Sequence, residues 1–424
     1  MRSPGAEVTI PKPAPTSIRF SEFVALAAAM MATQALAVDA MLPALPTIGA
    51  ELRVANPNHV QWIVTAYVTG VGLGQLFWGF MSDRFGRRPV LLTGFALYVA
   101  AAVMCGLTQD FHALLAWRLV HGLAAAAAVV TRSVIRDLYS GRAMARVLSL
   151  TFVVFLMVPI IAPSVGQLIL LLAPWRAVFL VFAGFAGVVG TWALLRLPET
   201  LHPEYRLVIS VAHLLRAASQ VLTDRTSLCY SLAVTVMFGS LIAYVGMVQQ
   251  IFADVFHRPG WMPTMFALCA TFMGLASLLN SRIVERIGMR RISHAALLCY
   301  LGVTLVHLLV AVLGYERLWT FVAMQGATMA CFSLAVPNFG AMALEPLGAI
   351  AGVGASLQGF ITTCGGALVG AAIGRHFDHT TVPLSVGAVT CGIASLLFVL
   401  LAERGRLFRA HHQSPGDGAA HMAH

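Results

Sequence analysis

Apolar runs of roughly 18 or more residues recur along almost the whole chain, each long enough to cross a hydrocarbon core of about 30 Å. Of the 424 residues, 59% are hydrophobic and only 10% are charged. A soluble protein carries about a quarter charged residues, so water is not the main solvent of this chain. The runs read as helical spans over 20–44, 60–81, 89–108, 112–134, 146–172, 175–196, 227–250, 262–281, 292–313, 318–342, 349–374 and 382–402. The expected fold class is therefore an all-α membrane protein with twelve transmembrane helices.

An even number of crossings puts both termini on one side, and Arg and Lys decide which. One face receives twenty of the 27 basic residues. They include Arg2, Lys12 and Arg19, the cluster Arg84, Arg87 and Arg88, and the four arginines between Arg282 and Arg291. The other face has Arg53, Arg176, Arg258, Arg317 and Arg375, while Arg118 and Arg132 fall inside spans. Cytoplasmic loops carry the excess of basic residues, so both termini are expected in the cytoplasm, with the chain in a bacterial inner membrane. The net charge of +10 is a topology signal, not a nucleic-acid footprint. Residues 1–19 lack an apolar core and read as a cytoplasmic tail, not a signal peptide. Residues 403–424 read as a second tail. Seven scattered cysteines, with no Cys-x-x-Cys pair, give neither a disulfide framework nor a metal site.

The longest polar stretch, 197–226, reads as a cytoplasmic linker between six-span bundles at 20–196 and 227–402. An internal repeat supports the division. Ser281-Arg282-Ile283-Val284-Glu285-Arg286-Ile287-Gly288-Met289-Arg290 echoes Gly79-Phe80-Met81-Ser82-Asp83-Arg84-Phe85-Gly86-Arg87-Arg88. Each segment joins the second and third spans of its half. Two halves related by an axis along the membrane normal are the mark of one large transporter class.

Several motifs carry a family resemblance. Gly79 to Arg88 followed by Pro89 matches G-x-x-x-D-R-x-G-R-R, and Arg118 with Gly122 matches a fourth-helix R-x-x-x-G pattern. The run Pro159, Ala162-Pro163 and Gly166 is similar to a fifth-helix antiporter motif, with Val158 and Ala162 where glycines are usual. Asp39 to Pro46, Trp175-Arg176-x-x-Phe179 and Leu197-Pro198-Glu199-Thr200-Leu201 complete the set. Together they resemble the major facilitator superfamily, and within it the bicyclomycin-resistance (Bcr/CflA-type) drug:proton antiporters. The resemblance implies two pseudo-symmetric six-helix bundles, alternating access, small drug-like cargo and exchange for protons.

Asp39 is the acid furthest inside a span by these boundaries. An ionised carboxylate in lipid is costly, so it should face the bundle interior with a partner. Asp39 lies about five residues before one end of its span and Arg118 about six residues after the start of its own. At about 1.5 Å per residue both sit at similar depth, which makes Arg118 the candidate partner. Desolvation favours the protonated acid and a guanidinium favours the carboxylate. Separating and rejoining the two would load and expel a proton. A fixed structural pair is the alternative.

In the loop, Arg84, Arg87 and Arg88 suit an inside-positive face, and Asp83 does not. The resemblance places Asp83 against the start of the eleventh helix near residue 349, where a helix N-terminus favours negative charge, as a gate latch. Gly79 and Gly86 would permit close approach and a tight turn. Pro159 and Pro163 share one helix face and bend it, either as a static kink or as a barrier to proton leakage.

Gln34, Tyr67, Phe155, Phe238, Tyr244 and Gln325 are the candidate lining of a cargo chamber, apolar with a few polar groups. No cofactor, metal or nucleic acid is expected. The expected partners are a small-molecule substrate, protons and the lipid bilayer, with the chain monomeric. No convergent His, Glu or Cys cluster points to an enzyme. The remaining alternative on this fold is a proton-coupled importer of a small metabolite.

Overall fold

The computed structural model describes residues 18–201, 204 and 218–408. The two tails beyond those limits and half of the expected linker (202–203 and 205–217) lie outside the described residues, with Arg2, Lys12, Arg206, Arg216 and Arg409. Among the described residues there is no strand, and 12 helical stretches are long and apolar enough to cross a membrane. Each expected span coincides with one of them. The helices used below are α1 (Phe20–Asp39), α2 (Leu45–Glu51), α3 (Trp62–Phe85), α4 (Arg87–Leu107), α5 (Phe111–Ala125), α6 (Val130–Leu138) and α7 (Gly141–Leu172). They continue with α8 (Arg176–Arg196), α9 (Arg225–Gln250), α10 (Met262–Ile287), α11 (Met289–Val312), α12 (Leu318–Leu344), α13 (Ala351–Gly374) and α14 (Val382–Ala402).

Local chemistry sets the helix ends. The Asp110 carboxylate accepts the Ala113 N–H at 2.8 Å and starts α5, and Asp224 accepts the Ser227 N–H at 2.7 Å and starts α9. Such caps satisfy donors that a first turn leaves open. Between α3 and α4 the chain turns at Gly86 (φ +104°), and between α10 and α11 at Gly288 (φ +89°). L-residues avoid that region, so each copy of the sequence repeat has its glycine where the backbone requires one.

The first span continues past the expected end at 44. Pro43 lies in a 3₁₀ turn over Leu42–Ala44, and Pro46 falls in the first turn of α2, which carries the helical stretch on to Glu51. Proline at a helix start lacks only a donor that would go unused there, so these prolines break the span without ending it.

Contacts group the chain into two compact units. The first holds α1, α3 from Thr69 onward, and α4 to α8; the second holds Leu42–Val68 with α9 to α14. In the first unit α4 lies against α5 and α8, while α1 lies against α7 and α8. Trp175, Phe179 and Phe182 fill its core. The Trp78 indole donates to the Leu123 carbonyl at 2.6 Å, fastening α3 to α5. In the second unit α9 lies against α13 and α14, and α12 against α10 and α11, around Tyr230, Met237, Leu297, Tyr300 and Phe339.

The sequence places residues 42–68 in the first bundle, yet their contacts belong to the second unit. Side-chain amides account for this. Asn58 Nδ2 donates to the carbonyls of Arg375 (3.2 Å) and Phe377 (2.9 Å), which lie just beyond the end of α13. Gln61 Nε2 donates to Gln250 Oε1 at 2.5 Å and to the Gly374 carbonyl at 3.3 Å. Helix C-termini leave carbonyls without donors; Asn58 supplies those of Arg375 and Phe377, and Gln61 adds a second donor to Gly374, which also accepts the Phe377 N–H at 3.1 Å.

Candidate functional site

The helix break that follows Asp39 organises the first unit. Beyond that residue the backbone tightens: the Ala40 N–H bonds the Leu36 carbonyl at 3.1 Å, but the Met41 N–H bonds Val38 at 3.3 Å. The i to i+3 bond leaves the Ala37 carbonyl without its usual helical donor. Arg118, on α5, supplies one at 3.2 Å. Its guanidinium also meets His121 Nδ1 at 3.1 Å and lies 5.7 Å from the centre of the Phe179 ring. Arg118 is fully buried, and a buried charge needs such partners.

One turn earlier on the same face of α1, the Thr33 carbonyl accepts the Tyr98 hydroxyl at 3.1 Å. The Tyr98 ring packs on His121 at 4.2 Å between centroids. Arg118, His121 and Tyr98 thus hold α4 and α5 against α1 just before Asp39.

Asp39 itself is buried, 7% exposed, and its carboxylate makes no ion pair or hydrogen bond among the described residues. The structure therefore brings Arg118 to the backbone two residues before Asp39 instead of to the carboxylate. Asp39 closes α1 at a break inside a span that runs to Glu51, so it is further from the end of the span than the expected boundary implied.

Gly166 joins this site. A Cβ there would meet the Ala40 backbone, 2.8 Å from its carbonyl carbon and 3.2 Å from its Cα. Only glycine lets α7 approach α1 so closely beside Asp39. Pro159 and Pro163 lie within α7, about two turns and one turn before Gly166 respectively. Each deletes a backbone donor on the segment leading to this contact.

The loop after α3 forms a second cluster, within the same unit. Arg87 is buried, with its guanidinium paired to Asp83, bonded to Ser82 Oγ at 2.9 Å and to Asp137 Oδ2 at 3.0 Å. Glu199 closes it from above α4: its carboxylate accepts the N–H groups of Arg87 (2.9 Å) and Arg88 (3.3 Å), and those of Thr200 and Leu201 (both 2.9 Å). A Cβ at Gly86 would collide with that carboxylate. Arg88 donates to the Leu194 carbonyl at 2.7 Å, Arg84 is exposed beside Phe85, and Gly79 accepts from Ser82 Oγ at 2.8 Å. Asp137 and Glu199 were not singled out in the sequence as ion-network members. The signal for Glu199 was the Leu197-Pro198-Glu199-Thr200-Leu201 motif, which names the residue but not its partner. The partner expected for Asp83, near residue 349, has side chains that lie outside the described residues.

The second unit repeats this arrangement with other residues. After Gly288, Arg290 bonds Glu403 at 2.9 Å and Glu345 at 3.2 Å. Glu403 also accepts the Tyr230 hydroxyl at 2.7 Å. Burial works to raise the Glu403 carboxyl, but the bonds from Tyr230 and Arg290 and the Arg290 charge outweigh it and hold the group below the usual carboxylate range.

Of the residues expected to line a cargo chamber, Tyr67, Tyr244 and Gln325 are buried, while Gln34 and Phe238 are half-buried. Tyr244 stacks on Phe266 at 5.7 Å, with the rings 6° from parallel. The side chain of Phe155 lies outside the described residues. Among the described residues no group of three or more His, Cys, Asp or Glu side chains converges to hold a metal ion.

Comparison with known proteins matches this architecture to one group. The sequence model of the Major Facilitator Superfamily matches residues 24–371. The chain is 31% identical to the uncharacterized MFS-type transporter YdgK of Bacillus subtilis, over 86% of this chain and 92% of that protein. It is 28% identical to the bicyclomycin resistance protein homolog of Haemophilus influenzae, over 85% of this chain and 90% of that protein. The crystal structure of a D-xylose-proton symporter has the same fold, with a TM-score of 0.71 at 13% identity, covering 91% of this chain and 99% of that one.

Proposed function

We propose that this chain, which belongs to the Major Facilitator Superfamily, exports small drug-like molecules in exchange for protons. The observation that carries the reading is a buried, unpaired carboxylate at a helix break, with a buried arginine fastened two residues away. A carboxylate in that setting is stable as the neutral acid and costly as the anion. A small movement of α1 against α5 or α7 changes how close Arg118 comes to Asp39, and so which form is favoured. Protonation of Asp39 from one side and release to the other couples proton entry to cargo exit.

The drug-like cargo class rests on the likeness to a relative named for bicyclomycin resistance. The outward direction rests on the same likeness, while the arginine bias supports both termini in the cytoplasm of a bacterial inner membrane. Pro159, Pro163 and Gly166 shape α7 where it meets α1, and limit proton leakage past Asp39. Asp83, with Arg84, Arg87, Arg88, Gly79 and Gly86, forms the cytoplasmic gate loop. Within the second unit, Tyr67, Phe238, Tyr244 and Gln325 supply cargo-chamber walls. The protein works as a monomer, without a cofactor.

The test is a susceptibility screen over a compound panel, with and without the gene and with a proton uncoupler. Deletion should sensitise cells to particular compounds, and the uncoupler should erase the difference. Failure to use a nutrient, with no change in susceptibility, would assign the chain to import instead.

A further inference from the structure

The second unit contains a cavity of about 300 Å³ that none of the residues assigned above to coupling, gating or cargo lines. It lies where the segment from α2 to the start of α3 covers the last turns of α9. Leu45, Pro46, Val54 and Val60 give it an apolar wall. Its polar wall is Gln249, Gln250 and Gln61, with Asp254 as the one ionisable lining residue. That carboxylate faces His379 Nδ1 at 3.3 Å.

Two independent features separate this cavity from ordinary packing space. Gln249 is 6% exposed, and its Oε1 has no hydrogen-bond partner among the described residues. Its neighbours are satisfied, since Gln61 donates to Gln250, and Gln250 donates to the Pro57 carbonyl and Asn58 Oδ1. A buried amide left without a partner is costly, and each such group calls for an explanation. The second feature is the backbone. Ile251–Val255 winds as a π-helix and turns Ala253 and Asp254 onto the cavity wall. Such bulges interrupt the regular ladder and are frequent at functional sites.

We propose that this cavity is a small-molecule site for an uncharged ligand that joins an apolar body to an amide or hydroxyl group. The Gln249 amide, which presents oxygen or N–H after a half-turn, would bond the ligand's polar group. Leu45, Pro46, Val54 and Val60 would cover its apolar part. None of the described lining residues is cationic, and the single acid is paired with His379. The volume is at the lower end of the roughly 300–1,000 Å³ seen for small-molecule sites. Because both walls belong to one unit and are clasped by Gln61 and Gln250, the ligand should hold residues 45–61 onto α9. The inference does not depend on the direction of transport or on Asp39.

The test is photolabelling of the purified full-length protein with a benzamide that carries an aryl diazirine, mapped by peptide mass spectrometry. Label should fall on peptides containing residues 45–61 and 246–254 and be displaced by unlabelled benzamide. Benzoate and benzylamine, similar in size but charged, should compete at least roughly tenfold less well, the loss expected when a charge enters a site without a partner. Ala253→Trp should block labelling by filling the cavity. Gln249→Met, close in volume, should cut labelling while leaving the melting temperature unchanged or higher. Labelling that is diffuse, survives both substitutions or is displaced equally by the charged analogues would overturn the proposal. So would a lower melting temperature for Gln249→Met, which would make the amide structural. All these readouts are taken without a proton gradient, so a failed export reading would leave them unaffected.

Discussion

Arg118 bonds the carbonyl of Ala37 at 3.2 Å, an acceptor left open because the backbone tightens just beyond Asp39. The arginine is thus anchored to α1 through the backbone, and the nearby carboxylate is buried without a partner among the described residues. A direct ion pair would have held the carboxylate ionised. A backbone anchor keeps a positive charge at hand without fixing the protonation state.

Asp39→Asn should abolish proton-driven cargo movement while cargo exchange in the absence of a gradient persists. Asparagine matches the neutral acid in shape and cannot release a proton. Counterflow and gradient-driven transport in proteoliposomes separate the two, and equal loss of both would show that Asp39 serves folding or cargo binding instead.

Arg118→Lys should lower stability by about 1.5–3 kcal/mol, the range for a hydrogen bond made by a charged donor. The guanidinium serves Ala37 and His121 at once; a lysine ammonium has no planar fork with which to do so. Thermal unfolding in detergent measures the change.

Gly166→Ala introduces a methyl group into the Ala40 backbone, which has no rotamer with which to yield. Overpacking of this kind costs about 1–3 kcal/mol. Gly184→Ala, where a Cβ meets nothing within 4 Å, is the control and should melt like the parent.

Glu199→Ala removes the acceptor of four backbone N–H groups at the start of α4 and after α8. The expected cost is about 1–3 kcal/mol for the orphaned donors, and hydrogen exchange should rise first at Arg87 and Arg88. Glu199→Gln keeps one acceptor oxygen and should recover part of the loss.

Glu403 sets a pH dependence. Its folded carboxyl titrates below the usual range, so its contribution to stability is complete above the unfolded value of about 4.3. The contribution is lost as pH falls through the lower, folded value. Glu403→Gln should therefore be less stable than the parent at neutral pH, with the gap narrowing as acid is added below about pH 4. A constant gap across that range would place the effect in packing rather than in charge.

Legibility from sequence followed the range of the forces involved. The twelve spans could be read because crossing a bilayer is a matter of local length and apolarity, and each run satisfies its own backbone. The turns at Gly86 and Gly288 were readable for the same reason, since a positive φ is a property of one residue. Asp39 stood out because an acid in an apolar run is expensive wherever it points.

Pairings were a different matter. Equal depth on two helices predicted that Arg118 would meet Asp39, but depth does not say which atom of α1 is left open, and the break after Asp39 decided that. Glu199 could be named from a motif, yet its role as the cap of α4 depends on α8 ending above Arg87. The 42–68 segment follows α1 in sequence, yet the carbonyls at the end of α13 and the amides of Asn58, Gln61 and Gln250 draw it into the second unit. Hydrophobic length and backbone conformation are written along the chain, whereas hydrogen-bond partners exist only after packing brings distant residues to the same place.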